Sequence, residues 1–305
     1  MTHSSPRPDA ADGDDGIDLD ALVARCRFPD VDHVVCAVSG GADSLALLVL
    51  AAHSGRTVDA VHVDHGLRDG SADEFALVRE VAERFGATAR SITLDLADGP
   101  NLEARARSAR RAALPSEALF GHTADDRAEW VLLALLRGAG LDGVASMDPA
   151  RRPLLGLRAA ETRALCRDLG IATVDDPHNA DPRFRRVRVR HELMPLLDDI
   201  AERAVVPLLD RFAAVAGEDA ALLDQLAAEL DPTDCRALAA APAALARRAV
   251  RAWLRDEVPI DAAATERVMD VVNGRRLATE IPGGRRVSRH AQRLVVGPVS
   301  AGADG

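Results

Sequence analysis

The 305-residue chain contains neither lysine nor tyrosine. A Walker A loop needs its lysine on the phosphates, so a P-loop NTPase of that type is excluded, and an internal lysine Schiff base is excluded with it. The four cysteines, Cys26, Cys36, Cys166 and Cys235, never fall at CxxC spacing. That removes a zinc ribbon, a thioredoxin-like pair and an iron–sulfur site of the usual pattern. Cys36 and Cys166 sit inside apolar runs and read as small core residues. The longest apolar run, residues 45–52, is too short to cross a bilayer. The N-terminus is acidic and polar, unlike a signal or transit peptide. A cytoplasmic protein without a membrane partner is the expectation.

The composition, 48% hydrophobic and 28% charged, is that of an ordinary soluble globular protein, and the length suits two domains. A net charge of −10 argues against a uniformly basic nucleic-acid binder. Its distribution changes that reading. Asp9, Asp12, Asp14, Asp15, Asp18 and Asp20 face only Arg7 in the first twenty residues, so residues 1–18 read as a disordered, solvated acidic tail. Acidity elsewhere is compatible with RNA binding if basic residues are concentrated. They are, in the run Arg183-Phe184-Arg185-Arg186-Val187-Arg188-Val189-Arg190-His191.

Up to residue 197, short apolar runs alternate with helical spacing, the pattern of an α/β doubly wound parallel sheet. The runs 33–38, 58–63, 89–94 and 118–121 are predicted strands, and 44–53, 71–85 and 124–137 are predicted helices. A last strand–helix–strand step is expected at Leu154, 159–169 and 171–174. Residues 198–305 then form a smaller, mainly helical domain broken near Pro232, Pro242 and Pro259. It ends in short strands around a Pro282-Gly283-Gly284 turn.

Chemistry concentrates at the predicted strand ends. Ser39-Gly40-Gly41-Ala42-Asp43-Ser44 follows the first strand and opens a helix. The glycines let the backbone approach an anion, the helix N-terminus offers N–H donors, and the two serines offer hydroxyls. Asp43 would repel phosphate unless a cation intervenes, which implies Mg²⁺. The string His62-Val63-Asp64-His65-Gly66-Leu67-Arg68 ends the second strand, and Gly121-His122-Thr123-Ala124-Asp125-Asp126-Arg127-Ala128-Glu129 ends the fourth. Asp125 and Glu129, four apart, share a helix face, with Asp126 one step round. Such a cluster suits a metal or an ammonium group; first-turn acids complementing the helix dipole are the plain structural alternative. Arg183, Arg186 and Arg190 would share one helical face, poised for RNA or polyphosphate.

These motifs, with Arg137-Gly138-Ala139-Gly140, Arg152-Pro153-Leu154-Leu155 and Asp176-Pro177-His178-Asn179-Ala180-Asp181 in the same order, resemble the ATP-pyrophosphatase (PP-loop) superfamily. Within it they resemble the tRNA(Ile)-lysidine synthetase family from about Val34 to Leu197. The resemblance implies an adenine nucleotide alpha hydrolase-like fold with a tRNA-contacting helical domain. It implies a ligase that adenylates the wobble cytidine of the CAU anticodon of tRNA(Ile) at its 2-oxygen and then joins free L-lysine there. ATP and Mg²⁺ are the implied cofactors, and a homodimer is an allowed assembly. Residues 39–44, His62 and His122 would hold ATP. Asp43 would hold the metal, Asp126, Glu129 and Arg190 would serve catalysis, and Arg107, Arg110, Arg183 and Arg186 would meet tRNA. The chain departs from the family at Arg111, Trp130 and Val187, none of which belongs to the phosphate loop or the carboxylates. A tRNA 2-thiolation enzyme would need a cysteine pair, and the amidating relatives carry a glutaminase domain or a different second half. A non-catalytic nucleotide-binding module has no need of Asp43, Asp126, Glu129 and Arg190 together.

Overall fold

A computed structural model describes residues 17–64, 71–94, 105, 109, 112–174, 181–255 and 260–299. Four parallel strands form the first sheet: β1 (His33–Ala37), β2 (Thr57–Asp64), β3 (Thr88–Thr93) and β4 (Leu119–Phe120). Their spatial order is β3-β2-β1-β4. The chain leaves β1 towards β2 and β3, then returns to β1's other side with β4. Open α/β sheets bind ligands at such a reversal, beyond the carboxyl ends of the strands on either side, here β1 and β4.

The helices follow from their apolar spacing. Leu45 to Ala51 of α2 (Ala42–His53) are all fully buried, as expected of a helix hydrophobic all round. Leu22 of α1 (Leu19–Val23), Val78, Val81 and Ala82 of α3 (Ser71–Arg84), and Leu165 and Cys166 of α5 (Ala159–Asp168) share that core. The intervening helix α4 (Ala124–Leu136) packs elsewhere. Ala124, Ala128 and Leu132 meet Val189, Met194, Val205 and Val206. Three consecutive helical segments, Arg185–Arg188, Val189–Leu193 in π form and Met194–Ala201, are thereby laid against α4.

The expected closing strand–helix–strand step is only partly present. Leu154 lies in a 3-10 turn (Pro153–Gly156) because Pro153 has no N–H for a ladder. Residues 171–174 form no strand, although the Val174 N–H donates to the Gly40 carbonyl at 2.9 Å. With β4 only two residues long, no ladder is available beside it for a further strand.

The chain divides into two compact units, 1–213 and 214–305, with the boundary inside helix α6 (Val206–Ala228). The second unit contains α7 (Cys235–Ala240), α8 (Ala243–Arg255) and α9 (Ala262–Val272). An antiparallel sheet follows, β5 (Ala278–Ile281), β6 (Arg285–His290) and β7 (Arg293–Pro298), over a core that includes Leu254, Val268, Ile281, Val287 and Leu294. The Pro282–Gly284 turn joins β5 to β6. Among the described residues no helix is long and apolar enough to cross a membrane.

Candidate active site

The glycine loop fills the end of β1. Gly40 takes φ +79°, a conformation that a side chain would strain, and a Cβ there would press on Val174. Gly41 caps α2 in an extended conformation without any side-chain cap, and the Ser44 N–H donates to the Gly41 carbonyl at 3.0 Å, so the N–H groups of Ala42 and Asp43 are the first-turn donors placed for an outside acceptor. The Ser44 hydroxyl accepts from the Ser39 N–H at 3.1 Å and donates to the Gly41 carbonyl at 2.9 Å. Ser44 is 8% exposed, so its hydroxyl shapes the loop from within. The Ser39 hydroxyl lies 3.3 Å from it on the more open side.

The loop after β4 is pressed against this one. A Cβ on Gly121 would lie 2.7 Å from the carbonyl carbon of Asp43 and 2.9 Å from the Cα of Ser44. Both are backbone atoms and cannot swing away. Gly121→Ala is therefore expected to displace the first turn of α2, costing about 1–3 kcal/mol of stability and most ATP affinity. Denaturant unfolding and a nucleotide-binding titration check this. Wild-type values in both would show that the loops have slack.

Asp43 is half-buried and accepts a hydrogen bond from the Thr162 hydroxyl on α5. Burial chiefly pushes its carboxyl up, to about 6. Asp126 adds to that rise, while Thr162, Arg163 and Arg190 oppose it. Thr162 is a neighbour that no motif in the sequence reveals, since it comes from a helix 119 residues away.

Asp126 and Glu129 are buried on α4, at 6% and 2% exposure. Thr123 and Asp126 form a capping box: Asp126 Oδ2 accepts from the Thr123 N–H at 2.7 Å. Its other oxygen faces the arginine segment, taking 2.5 Å and 3.5 Å contacts from Arg186 and Arg190. Glu129 accepts from the Nε atoms of the same two arginines, at 2.7 Å and 2.5 Å. Two carboxylates and two guanidiniums thus form one network, and both Asp126 and Arg190 act electrostatically on Asp43.

Asp125 does not join the cluster. It accepts from Arg158 through both oxygens at 3.0 Å and from the Ala159 N–H at 2.8 Å, tying α4 to the start of α5. These contacts hold its carboxyl below its ordinary value in spite of burial. Asp126 and Glu129, three apart and the two carboxylates expected to serve catalysis, share the arginine network, while Asp125, expected on the same face as Glu129, is turned to Arg158. Arg183 also departs from expectation. The helix begins at Arg185, and the exposed Arg183 pairs with Asp181 at 2.6 Å, leaving Arg186 and Arg190 on the shared face. Trp130 donates from its indole to the Gly143 carbonyl at 3.0 Å and stacks under Arg137, a packing role.

His62 sits behind the loop. Its Nδ1 contacts the Val38 carbonyl at 3.0 Å, so that nitrogen carries the proton. Its buried Nε2 has no hydrogen-bond partner among the described residues and lies 4.0 Å from a Glu74 carboxylate oxygen. His122 is half-buried beside Phe120, ring centroids 6.0 Å apart. Residues 1–16, His65 to Arg68, Glu103, Arg107, Arg110, Arg111 and Asp176 to Ala180 lie outside the described residues.

No group of three or more His, Cys, Asp or Glu side chains gathers as a metal cage among the described residues. Mg²⁺ on a nucleotide needs only one or two carboxylates plus phosphate oxygens. Asp43, whose buried carboxyl gains from a nearby cation, fits that demand. The buried thiols do not resemble cluster ligands: burial pushes Cys36 up to about 12 and Cys166 to about 11.

Residues 18–197 match the family model of the PP-loop domain. Among solved structures, the fold is similar to that of U34-tRNA thiolase NcsA from Methanococcus maripaludis with its [4Fe-4S] cluster. The TM-score is 0.52 at 16% identity, covering 66% of this chain and 78% of that one. That likeness concerns the fold. Closer sequence relatives are tRNA(Ile)-lysidine synthases. The one from Nocardia farcinica is 48% identical over 73% of this chain and 76% of its own length. Those from Rhodococcus erythropolis and Mycobacterium leprae are 46% and 43% identical over similar shares. With such identity extending past the PP-loop domain into the second unit, the chain belongs to the tRNA(Ile)-lysidine synthase family of PP-loop proteins.

Proposed function

We propose that this chain is the ligase that joins lysine to the wobble cytidine of tRNA(Ile) at the expense of ATP, through an adenylated cytidine. The observation that carries the reading is the juxtaposition of the glycine loop and Asp43 with the buried Asp126–Glu129 pair, in a chain of this family. A phosphate site and an ammonium site are what the two half-reactions require. In the first, the 2-oxygen of the cytidine bonds to the α-phosphorus of ATP and pyrophosphate leaves. In the second, the lysine amine, having lost its proton, bonds to the 2-carbon and AMP leaves with that oxygen.

Residues 39–44 hold the phosphates through first-turn N–H groups, with the Ser39 hydroxyl on the open side. Asp43 would hold Mg²⁺, which would supply positive charge to the phosphates. Asp126 and Glu129 receive the ammonium of lysine, and Arg190 orients them while offering charge to the α-phosphate. His62 supports the loop through the Val38 carbonyl, and His122 lies beyond the carboxyl end of β4. Residues 19–197 carry the chemistry; residues 198–305, with Arg107, Arg110 and Arg183, contact the CAU-anticodon tRNA. The reaction belongs to the cytoplasm, where charged tRNA is made.

The test combines ATP labelled in its α-phosphate, Mg²⁺, lysine and CAU-anticodon tRNA, followed by nucleoside analysis. Lysidine should form with AMP and pyrophosphate as the other products, in a ratio near one to one. Release of ADP and orthophosphate would end the adenylation reading, since adenylate transfer breaks the bond between the α- and β-phosphates.

A further inference from the structure

As folded, the carboxylate pair is already satisfied. Arg186 spans it, with Nε at 2.7 Å from Glu129 and a terminal nitrogen at 2.5 Å from Asp126. Arg190 binds Glu129 at 2.5 Å but reaches Asp126 only at 3.5 Å. Two negative charges therefore face two positive ones, and no net attraction is left for an incoming ammonium. A third cation in this buried fork would be desolvated without a counter-charge. One guanidinium must leave as an amine enters.

The two arginines are not equally free to go. Val187 and Val189 are buried and hold the backbone of the segment in place. Departure is thus a side-chain rotation, not an unfolding of the helix. The Arg186 side chain is 44% exposed while its carboxylate partners are 8% and 3% exposed, so its guanidinium can rotate directly into water. Arg190 is less exposed, at 34%, and its charge also acts on Asp43, a third carboxylate beyond the pair.

We infer that Arg186 is a specificity-determining residue whose guanidinium closes the Asp126–Glu129 fork against free amines until the substrate ammonium displaces it. The inference rests on the reading of that fork as the amine site. An internal competitor raises the apparent dissociation constant by the inverse of the fraction of time it is absent. A fork open one tenth of the time would show lysine about tenfold weaker binding than the bare site. The device rejects weak cations in bulk, because a ligand without lysine's further contacts gains nothing to offset the lost arginine pair.

The test is a lysine chase of preformed adenylated tRNA, reading the lysine concentration for half-maximal rate. Arg186→Ala should lower that concentration about tenfold. The truncated side chain leaves a guanidinium-shaped space, so added guanidinium ion should raise the requirement of the variant back while hardly affecting the parent protein. Equilibrium dialysis of labelled lysine with Arg186→Gln repeats the comparison without turnover, for the case that the alanine variant folds poorly. An unchanged or raised lysine requirement, with no competition by guanidinium, would overturn the inference. Glu129→Gln separates the two levels. If it leaves lysine binding unaltered, the fork is not the amine site and both readings fall. If it weakens lysine while Arg186→Ala does not tighten it, only the role of Arg186 falls.

Discussion

Asp43→Asn is expected to give a protein that folds more stably than its parent at neutral pH and yet forms no adenylate. The two effects share one cause. Burial, above all, raises the Asp43 carboxyl from 3.8 to about 6, with Asp126 adding to the rise and Thr162, Arg163 and Arg190 acting against it. A carboxyl that holds its proton more tightly folded than unfolded favours folding at low pH. That advantage is lost as pH climbs from about 4 to about 6, and it does not return above. At pH 8 the parent protein therefore carries an ionised group whose cost is at most about 3 kcal/mol. Asparagine can still accept from Thr162, has no charge to desolvate, and shows no such pH dependence. Denaturant unfolding at pH 8 should favour the variant, and the gap should close as pH falls towards 4.5. Adenylation should fall on the order of a thousandfold, because a charge worth several kcal/mol on the phosphates is no longer anchored. Addition of Mg²⁺ and ATP should stabilise the parent and not the variant. The Mg²⁺ requirement of adenylation by the parent should rise as pH falls towards 6, because proton and cation compete for Asp43. A folded variant with normal AMP transfer to tRNA would remove Asp43 from the metal site.

The legible part of this protein is what local sequence determines. Strand β1, the glycine pair and the buried helix α2 are contiguous, and an apolar run ending in Gly-Gly before a helix has few other folded solutions. The Thr123–Asp126 capping box also follows from a string of four residues and fixes where α4 begins. What escaped the sequence is long-range. Asp125 and Asp126 are adjacent and chemically identical, and Arg158 with the Ala159 N–H, thirty-three and thirty-four positions away, ties Asp125 to the start of α5. Thr162 reaches Asp43 across 119 residues with nothing in its surroundings to mark it. The expected closing strand at 171–174 is absent although its run is largely apolar, because strand identity depends on a neighbour with free ladder groups. The arginine run looked uniformly basic, but its charges have different tasks. Arg183 is matched by Asp181, Arg188 by Glu192, and Arg186 and Arg190 by the buried carboxylates.

Asp126→Asn is expected to separate the two half-reactions, with adenylated tRNA still forming and then passing slowly to lysine. The two carboxylate oxygens of Asp126 have different tasks. Oδ2 serves the cap by accepting from the Thr123 N–H, a role that the carbonyl oxygen of asparagine keeps, so α4 should begin where it does now. Oδ1 faces Arg186 and Arg190, and there an amide nitrogen would present donors to donors. The fork loses one of its two negative charges, and an arriving ammonium loses a charge-assisted hydrogen bond worth roughly 1.5–3 kcal/mol. The lysine requirement should therefore rise roughly ten- to a hundredfold, with partial rescue at high lysine. Phosphate contacts come from residues 39–44 and should persist. A second consequence reaches the first half-reaction. Asp126 is one of the groups that push the Asp43 carboxyl up, so its neutralisation should extend adenylation to lower pH than in the parent. The measurement is single-turnover: AMP transfer from α-labelled ATP to tRNA across about pH 5 to 8, the range around the Asp43 carboxyl, then a lysine chase. If Asp126→Asn blocks adenylate formation while lysine dependence stays as in the parent, the carboxylate serves the metal alongside Asp43 and the amine site lies elsewhere.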